Sequence, residues 1–583
     1  MEEELWKACF NGKVEDVIKL LQNLEININW ENQKYSATSF WIACKNEHID
    51  IVKLLLNDER VDINKPDKLG ATPLSIACLF GRINIVNLLL NDKRIDINKA
   101  VNDGQSPFYI ACCNGYNKVV KLLLNNEIID VNKAPIKKGE TPLYVACEQG
   151  NLEIVKLLLN DERTDINQVS NNGSTPIDIA CENGHNKIVK LLLNDKRRNI
   201  NEEYRYSCED PTNSFYHACI YGYLEIVKLL LNDKCLDINK ANKNEATPFY
   251  VACKKGHIEI VKLLLNDQRI VDVNKGKDRN SQTPFYVACK NRRIEIVKLL
   301  LNDQRIVDVN QVNNNGWTPF YIACLKKHIE IVKLLLNDER VNINQASWKK
   351  ETPFYIVCEN GQIEMMKLLL NDQRVDINKV GYYETTPFHV ACENRRIEIV
   401  KLLLNDQRVE VNQANRYERE TPFYIACKYG YIEIMNLLLN DERVDINKAK
   451  SNGETPFYVA CQQGYIKIVE YILSHEKEVN LRAKNDEGKT AIDIAREGME
   501  VWEKRSKFTK IVEIIKSFEK NRDEIRTKLR IQLGLAGIFF FSLDFFFFLK
   551  KSLNIILSLD CEATSIYVIM VLLSDDYLNF KYN

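Results

Sequence analysis

The chain has 583 residues, and its 80 Lys and Arg residues balance 80 Asp and Glu residues, so the formal net charge is zero. This balance argues against a nucleic-acid partner, which normally requires a clustered excess of basic residues. The N-terminal segment is acidic and amphipathic, unlike a secretory signal or a transit peptide, so we expect a cytoplasmic protein.

One sequence pattern recurs along most of the chain and is clearest in residues 247–267. Thr247 and Pro248 predict a helix start, because a side-chain oxygen caps the first turn and proline is favoured at the first helical position. Gly256 predicts the end of that helix. Ile258 and Val261 then begin the apolar stripe of a second helix. Two helices this short cannot bury their apolar faces alone, so the pattern predicts a stack of repeats.

A Thr-Pro or Ser-Pro pair marks most repeats at intervals of 34 to 36 residues, with one interval of 38. The pairs begin at Thr72, Ser106, Thr141, Thr175, Thr247, Thr283, Thr318, Thr352, Thr386, Thr421 and Thr455, and degenerate anchors begin at Thr38, Asn213 and Thr490. The pattern resembles the ankyrin repeat, in which T-P-L-H-x-A-A is followed by a glycine turn, a second helix and a D-V-N turn. This resemblance covers residues 1–520.

The resemblance implies an all-α ankyrin-repeat solenoid of about fifteen stacked helix pairs, with a hairpin loop projecting from each junction. It predicts an N-terminal capping repeat at residues 1–34, an array at 35–480 and a C-terminal capping repeat at 481–520, interrupted by an insertion at 499–507. A basic helical extension follows at 521–532. Residues 197–232 form an atypical repeat, because 197–212 replaces the usual hairpin. A hinge, a binding finger and a decayed repeat all remain open there.

The chain departs from the family pattern in two further respects. Most repeats have tyrosine where the family has histidine, and His389 alone keeps the family residue. In the family that histidine helps to join neighbouring repeats, and we expect the tyrosines to do so through packing and a hydroxyl hydrogen bond. The link after the second helix is also longer, as in Asn440-Asp441-Glu442-Arg443.

Residues 533–583 form a hydrophobic tail. Its segment 533–549 is apolar apart from Ser542 and Asp544, and as a helix it would be about 25 Å long, slightly short of a bilayer core. A single membrane span, a disordered or collapsed apolar tail, and a segment that is not part of the working protein all remain open. A membrane-tethered adaptor is therefore one alternative function.

Fourteen of the 18 cysteines occupy one position of the repeat, from Cys9 to Cys461. Stacked repeats lie roughly 10 Å apart, too far for a disulfide, so we predict buried and reduced thiols. No nucleophile motif, cofactor cradle or metal-ligand cluster is recognisable in the sequence. We therefore expect no enzymatic activity, no cofactor and no metal.

Protein recognition is the function that the pattern favours. In the ankyrin family the hairpin tips and the exposed side of the first helices bind other proteins. We predict a monomeric scaffold whose basic and aromatic surface binds an acidic protein or peptide; an ordinary solvated surface and a targeting subunit of a larger enzyme complex are the alternatives. The predicted partner-binding residues are Lys254, Lys255, Arg292, Arg293, Trp317, Lys326, Lys327, Trp348, Tyr382, Tyr383, Arg395, Arg396 and Tyr417.

Overall fold

A computed structural model of the chain describes residues 1–34, 36–198, 214–234, 236–270, 273–274, 280–306, 308–500 and 505–535. The chain divides into two compact units, unit 1 (Met1–Trp348) and unit 2 (Lys349–Asn583). The predicted span at 533–549 lies outside the described residues apart from its first three residues. The predicted atypical hairpin at 197–212, apart from its first two residues, and part of the predicted insertion at 499–507 also lie outside them. Among the described residues, no helix combines the length and the apolar character that crossing a membrane requires.

Unit 1 is a series of short helix pairs, each with an inner and an outer helix. In chain order its helices are α1 Glu2–Asn11, α2 Val14–Leu21, α3 Ser39–Asn46, α4 Ile49–Leu56, α5 Pro73–Leu79, α6 Ile83–Leu90, α7 Pro107–Cys113, α8 Asn117–Leu124, α9 Pro142–Glu148, α10 Leu152–Leu159, α11 Pro176–Glu182, α12 Asn186–Asn194, α13 Ser214–Tyr221, α14 Leu224–Leu231, α15 Pro248–Lys255, α16 Ile258–Asn266, α17 Pro284–Lys290, α18 Ile294–Leu301, α19 Pro319–Leu325 and α20 Ile329–Leu336. A short antiparallel hairpin, β1 Glu31–Asn32 and β2 Ala37–Thr38, lies between α2 and α3.

The described part of unit 2 has the same alternation of inner and outer helices, followed by one additional helix. Its helices are α21 Pro353–Glu359, α22 Ile363–Leu370, α23 Pro387–Glu393, α24 Ile397–Leu404, α25 Pro422–Tyr429, α26 Ile432–Leu439, α27 Pro456–Gln463, α28 Ile466–Ser474, α29 Ala491–Gly498, α30 Arg505–Lys520 and α31 Arg522–Gln532. A single 3-10 turn, Tyr382–Glu384, lies between α22 and α23.

The Thr-Pro or Ser-Pro anchor starts the inner helices that carry it in the predicted way. At α15 the Thr247 hydroxyl accepts a hydrogen bond from the backbone N–H of Tyr250, and Pro248 occupies the first turn. Cys253 and the preceding residues of the helix, from Pro248 onward, are buried. The helix ends at Gly256, whose φ of 95° lies in the left-handed region, so the chain can turn at once into α16.

The core lies between neighbouring repeats. Inner helices pack side by side, as α15 does with α17 and α17 with α19, and the outer helices follow the same order. The fourteen cysteines of the repeat position are buried and unpaired, as predicted. Burial raises the pKa of the Cys9 thiol to about 12 and also raises the pKa of Cys253. These thiols are therefore neutral packing groups near pH 7.

Asparagine side chains join the repeats next to the outer helices. The Asn310 amide donates to the carbonyl of Arg340 over 2.8 Å, and its oxygen accepts from the backbone N–H of Asn342 over 2.7 Å. The asparagine of the D-V-N turn makes the same two bonds from Asn64, Asn98, Asn132, Asn378, Asn412 and Asn447. Each pair of bonds fixes the spacing of two neighbouring repeats.

The longer link after the outer helix forms a second joint, which we call the arginine clamp. Arg305 donates a forked pair of hydrogen bonds to Asp303, and its guanidinium reaches the carbonyls of Leu265 and Ile270 in the preceding repeat over 2.7 and 3.1 Å. The same clamp is made by Arg60, Arg94, Arg163, Arg197, Arg269, Arg340, Arg408 and Arg443. The guanidinium thus satisfies carbonyls that the end of the preceding outer helix leaves free.

The tyrosines at the family histidine position bond to the hairpin of the following repeat, as predicted. The hydroxyl of Tyr424 donates to Glu454 over 3.2 Å, and that of Tyr286 accepts from the Asn313 amide over 3.1 Å. His389 makes an equivalent bond to the backbone carbonyl of Glu420 over 3.1 Å. Substitution of the family histidine therefore preserves the joint.

The predicted charged extension forms α31 and packs against α28 and α30. Glu470 of α28 is fully buried there, with Lys510 at 3.2 Å and the Gln532 amide at 3.3 Å from its carboxylate. Arg530 of α31 donates to the carbonyl of Ser474 over 3.0 Å. The extension thus covers the apolar side of these two outer helices.

Candidate functional site

Unit 1 carries a group of exposed cations at the ends of three successive inner helices. Lys255 ends α15, Arg292 lies in the turn after α17, and Lys326 and Lys327 lie in the turn after α19. Because α15, α17 and α19 pack side by side, these equivalent positions share one side of the stack. We call these four residues the basic face.

Within the described part of the chain, the positive charge of the basic face is not neutralised by ion pairs. Among the described residues, no carboxylate forms an ion pair with any of its four cations. The acidic residues of the adjoining outer helices instead pair with a lysine of their own helix, in the pairs Glu259–Lys262 at 2.8 Å, Glu295–Lys298 at 2.8 Å and Glu330–Lys333 at 3.5 Å. The basic face therefore has charge available for a ligand.

Two cations of the basic face have an unusual backbone conformation. Arg292 and Lys327 have φ values of 57° and 62°, in the left-handed region that costs an L-residue roughly 1–2 kcal/mol. Ten other repeats have glycine at this position: Gly12, Gly81, Gly115, Gly150, Gly184, Gly222, Gly256, Gly361, Gly430 and Gly464. Space is tight as well, since a Cβ built on Gly256 would lie 2.8 Å from Nε of Arg293.

Arg293, another predicted binding residue, is engaged within the stack. Its Nε donates to the carbonyl of Lys254 in the preceding repeat over 3.3 Å. The residue that precedes the outer helix bonds the same carbonyl position in other repeats, at His48, Arg82, His185, His257, His328 and Arg396. Lys254 itself extends over the ring of Tyr250, 5.7 Å from its centroid. Arg293 and Lys254 are therefore less available to a ligand than the four residues of the basic face.

The two predicted tryptophans differ in exposure. Trp317 is half-buried and stacks on Tyr321, with ring centroids 5.5 Å apart and planes 17° from parallel. Trp348 is 69% exposed, and its indole N–H donates to the carbonyl of Asn314 over 3.0 Å. That bond leaves most of the Trp348 ring in solvent at a fixed position. Trp348 is thus the more accessible apolar contact.

The remaining predicted residues lie in unit 2. Tyr382, Tyr383 and Tyr417 form an exposed cluster, with centroids 3.8 Å apart between the first two and 5.1 Å between the last two. Arg395 is left-handed, with a φ of 55°, and lies 5.8 Å from the centroid of the Tyr431 ring. The Nε of the neighbouring Arg396 donates to the carbonyl of Glu359 over 2.8 Å. These residues belong to unit 2, whereas the basic face belongs to unit 1.

The repeat architecture has a counterpart among known families. A family model described as ankyrin repeats (3 copies) matches residues 5–101, 61–135, 108–204, 198–276, 268–347, 339–415 and 407–485. The chain belongs to the ankyrin repeat family. A search of the curated proteins finds no match. Ankyrin repeats are generally modules of protein–protein interaction and are typically non-enzymatic.

The ankyrin hairpins are held by a backbone ladder that the sequence did not predict. The N–H of Asn314 donates to the carbonyl of Asn280 over 3.0 Å, and the N–H of Trp348 donates to Asn315 over 3.2 Å. In unit 2 the N–H of Arg416 donates to Tyr383 over 3.0 Å. Each hairpin is thus positioned by its neighbour as well as by its own helices.

A groove adjoins the first helix of the basic face. It has a volume of about 410 Å³ and is lined by residues of two successive ankyrin repeats, including Tyr216, Ile220, Asn242, Tyr250 and Lys255. Aromatic rings and amide side chains together suit a peptide, which presents both apolar groups and backbone hydrogen-bonding groups.

Proposed function

We propose that the chain is a non-enzymatic scaffold that binds an acidic segment of a partner protein on the basic face. The observation that supports this proposal is that the described residues hold no ion-pair partner for Lys255, Arg292, Lys326 or Lys327, whereas charges of the adjoining outer helices are paired. Complementary charge raises the rate of association and excludes partners of the wrong sign. The exposed Trp348 would add an apolar contact of the kind favoured in interfaces.

The mechanism is binding to a preorganised surface. The arginine clamps, the asparagine bonds and the hairpin ladder fix neighbouring repeats before any partner arrives. A rigid surface loses little conformational entropy on binding, so more of the contact energy appears as affinity. The partner segment supplies the carboxylates, and no bond is made or broken.

Charge reversal on the two sides of the same repeats tests this proposal. One variant carries Lys255→Glu, Lys326→Glu and Lys327→Glu on the basic face. The matched control carries Lys262→Glu, Lys298→Glu and Lys333→Glu on the outer helices, with the same change in net charge. Each full-length chain is immobilised and exposed to cell extract, and bound proteins are cross-linked and identified by mass spectrometry.

We expect the wild-type chain and the outer-helix control to retain a common set of proteins that carry acidic segments and cross-link to Lys255, Lys326 or Lys327. The basic-face variant should lose that set. Retention of the same proteins by all three chains would contradict the proposal, as would retention of none by the wild type.

A further inference from the structure

The basic face presents its charges at the interval of the repeat. Side-by-side packing of α15, α17 and α19 places neighbouring inner helices roughly 10 Å apart. An extended peptide advances about 3.3 Å per residue. A peptide that runs across the three helices therefore reaches a new repeat about every third residue.

Arg292 and Lys327 occupy equivalent positions in successive repeats. Glycine fills this position in most repeats without strain, so a cation there has a local energetic penalty that the fold does not require. Strained residues that persist in a structure point to functional positions. Neither residue has an ion-pair partner among the described residues, so folding contacts do not account for the charge.

We infer that the basic face binds an extended acidic peptide with a carboxylate at every third residue, and that Arg292 and Lys327 determine this spacing. The inference rests on the proposed function, because it specifies the acidic partner. Lys255 and Lys326 supply the flanking charges. The groove lined by Tyr216 and Asn242 receives the peptide where it leaves α15.

Peptide spacing is the direct test. The probes are fluorescein-labelled peptides of about fifteen residues, which span roughly 50 Å when extended. All contain the same number of Glu, Gly and Ser residues, with glutamate at every third residue, at alternate residues, or in one block. Fluorescence anisotropy with the full-length chain should give the lowest Kd for the every-third peptide, by about threefold to fivefold, the range of exposed charge pairs.

Substitution by glycine separates binding from folding. Arg292→Gly and Lys327→Gly should each raise the Kd of the every-third peptide about threefold, and the double variant should raise it about tenfold and lose the preference for spacing. The melting temperature of each variant should stay the same or rise, because glycine relieves the left-handed strain. Glu47→Gly is the control for binding: Glu47 is left-handed, with a φ of 61°, in a repeat distant in sequence, so the Kd should not change. Its melting temperature is not compared, because Glu47 also pairs with Arg82 over 2.9 Å.

Equal Kd values for the three peptides, or unchanged binding by the double variant, would overturn the inference while the extract experiment with intact proteins still decides the proposed function. Tighter binding of a single-stranded oligonucleotide than of any peptide, at equal salt, would overturn both. A drop in melting temperature for Arg292→Gly would show that the charge serves folding and would likewise count against the inference.

Discussion

Arginines and lysines on the two sides of unit 1 are used differently. On the outer side, Arg269 and Arg305 are fully engaged with a carboxylate and with carbonyls of the preceding repeat. On the inner side, Arg292 and Lys326 are exposed and unpaired among the described residues. A guanidinium that bonds carbonyls of the preceding repeat would have to break those bonds to contact a partner, and the stack would then lose stability. Cations that hold the repeats together thus differ from exposed cations, and the proposed function assigns partner binding to the exposed ones.

The largest expected effect is the pH dependence of stability at His389, which bonds to the carbonyl of Glu420 in the next repeat. Burial lowers the pKa of His389 to about 4, from 6.5. The unfolded chain therefore binds more protons between these pH values, so stability present above pH 6.5 is lost as the pH falls toward 4. At about 1.4 kcal/mol per pKa unit, the loss is roughly 3 kcal/mol.

The control variant places tyrosine, the residue of most other repeats, at position 389. His389→Tyr should remove this part of the pH dependence, and hydrogen exchange in α23 and α25 at several pH values measures it locally. His475, whose pKa is also lowered by burial, is present in both proteins and cancels in the comparison. The same pH dependence in the wild type and in His389→Tyr would show that His389 is not its source.

The next largest effect is a loss of stability at an arginine clamp, which cations of the basic face should not show. Arg305→Ala removes the bonds to Leu265 and Ile270 and leaves Asp303, whose pKa is held low by hydrogen bonds from Arg305, without its partner. Because the site is partly exposed, we expect a loss of about 1–2 kcal/mol, measured by hydrogen exchange in α16 and α18.

Two variants sharpen that result. Arg305→Lys keeps the charge but loses the fork, so its loss should be intermediate. Lys326→Ala on the basic face should change stability by less than about 0.5 kcal/mol, because Lys326 is exposed and has no ion-pair partner in the described part of the chain. A loss at Lys326 equal to that at Arg305 would break the distinction between the two sides.

The smallest expected effect is a gain in stability. Arg395→Gly in unit 2 replaces a left-handed L-residue, with a φ of 55°, by the residue that most repeats have there. We expect the free energy of unfolding to rise by about 1 kcal/mol, read from hydrogen exchange in α23 and α24. Gly361→Ala at the equivalent position should lower it, and a gain from both substitutions would contradict the role of left-handed strain.

The sequence was sufficient for local features with a short-range cause. Thr247 as a helix cap and Gly256 as a helix end were predicted, and each depends on neighbours within a few residues. The buried thiol of Cys253 was predicted because its position recurs in fourteen repeats of the stack. The hydroxyl bond of Tyr424 to the next repeat was also predicted, because the resemblance gave that position a joining role. The helix pairs and the family therefore follow from the order of the residues alone.

Long flexible side chains were less predictable. Arg293 was expected on the binding surface, yet its Nε bonds a carbonyl of the preceding repeat. The same repeat position holds His257 and His328, which is the signal that it serves the stack. The clamp of Arg305 was not predicted, although Asp-x-Arg recurs in most repeats. In both cases the partner lies more than thirty residues away, and only the stacked repeats identify it. Partner binding by the basic face stays a prediction.

Burial of Glu470 beneath α31 restricts how the array can be rearranged. The outer helices from α4 to α26 carry lysine or asparagine at this position, as in Lys262 and Asn436. If one of these helices replaced α28 beside α31, its lysine would repel Lys510, or its asparagine would leave Lys510 without a carboxylate. Duplication or loss of internal repeats keeps this contact, whereas shuffling α28 away from α31 destroys it. Recombination is therefore expected to change the number of preceding repeats far more readily than the identity of α28.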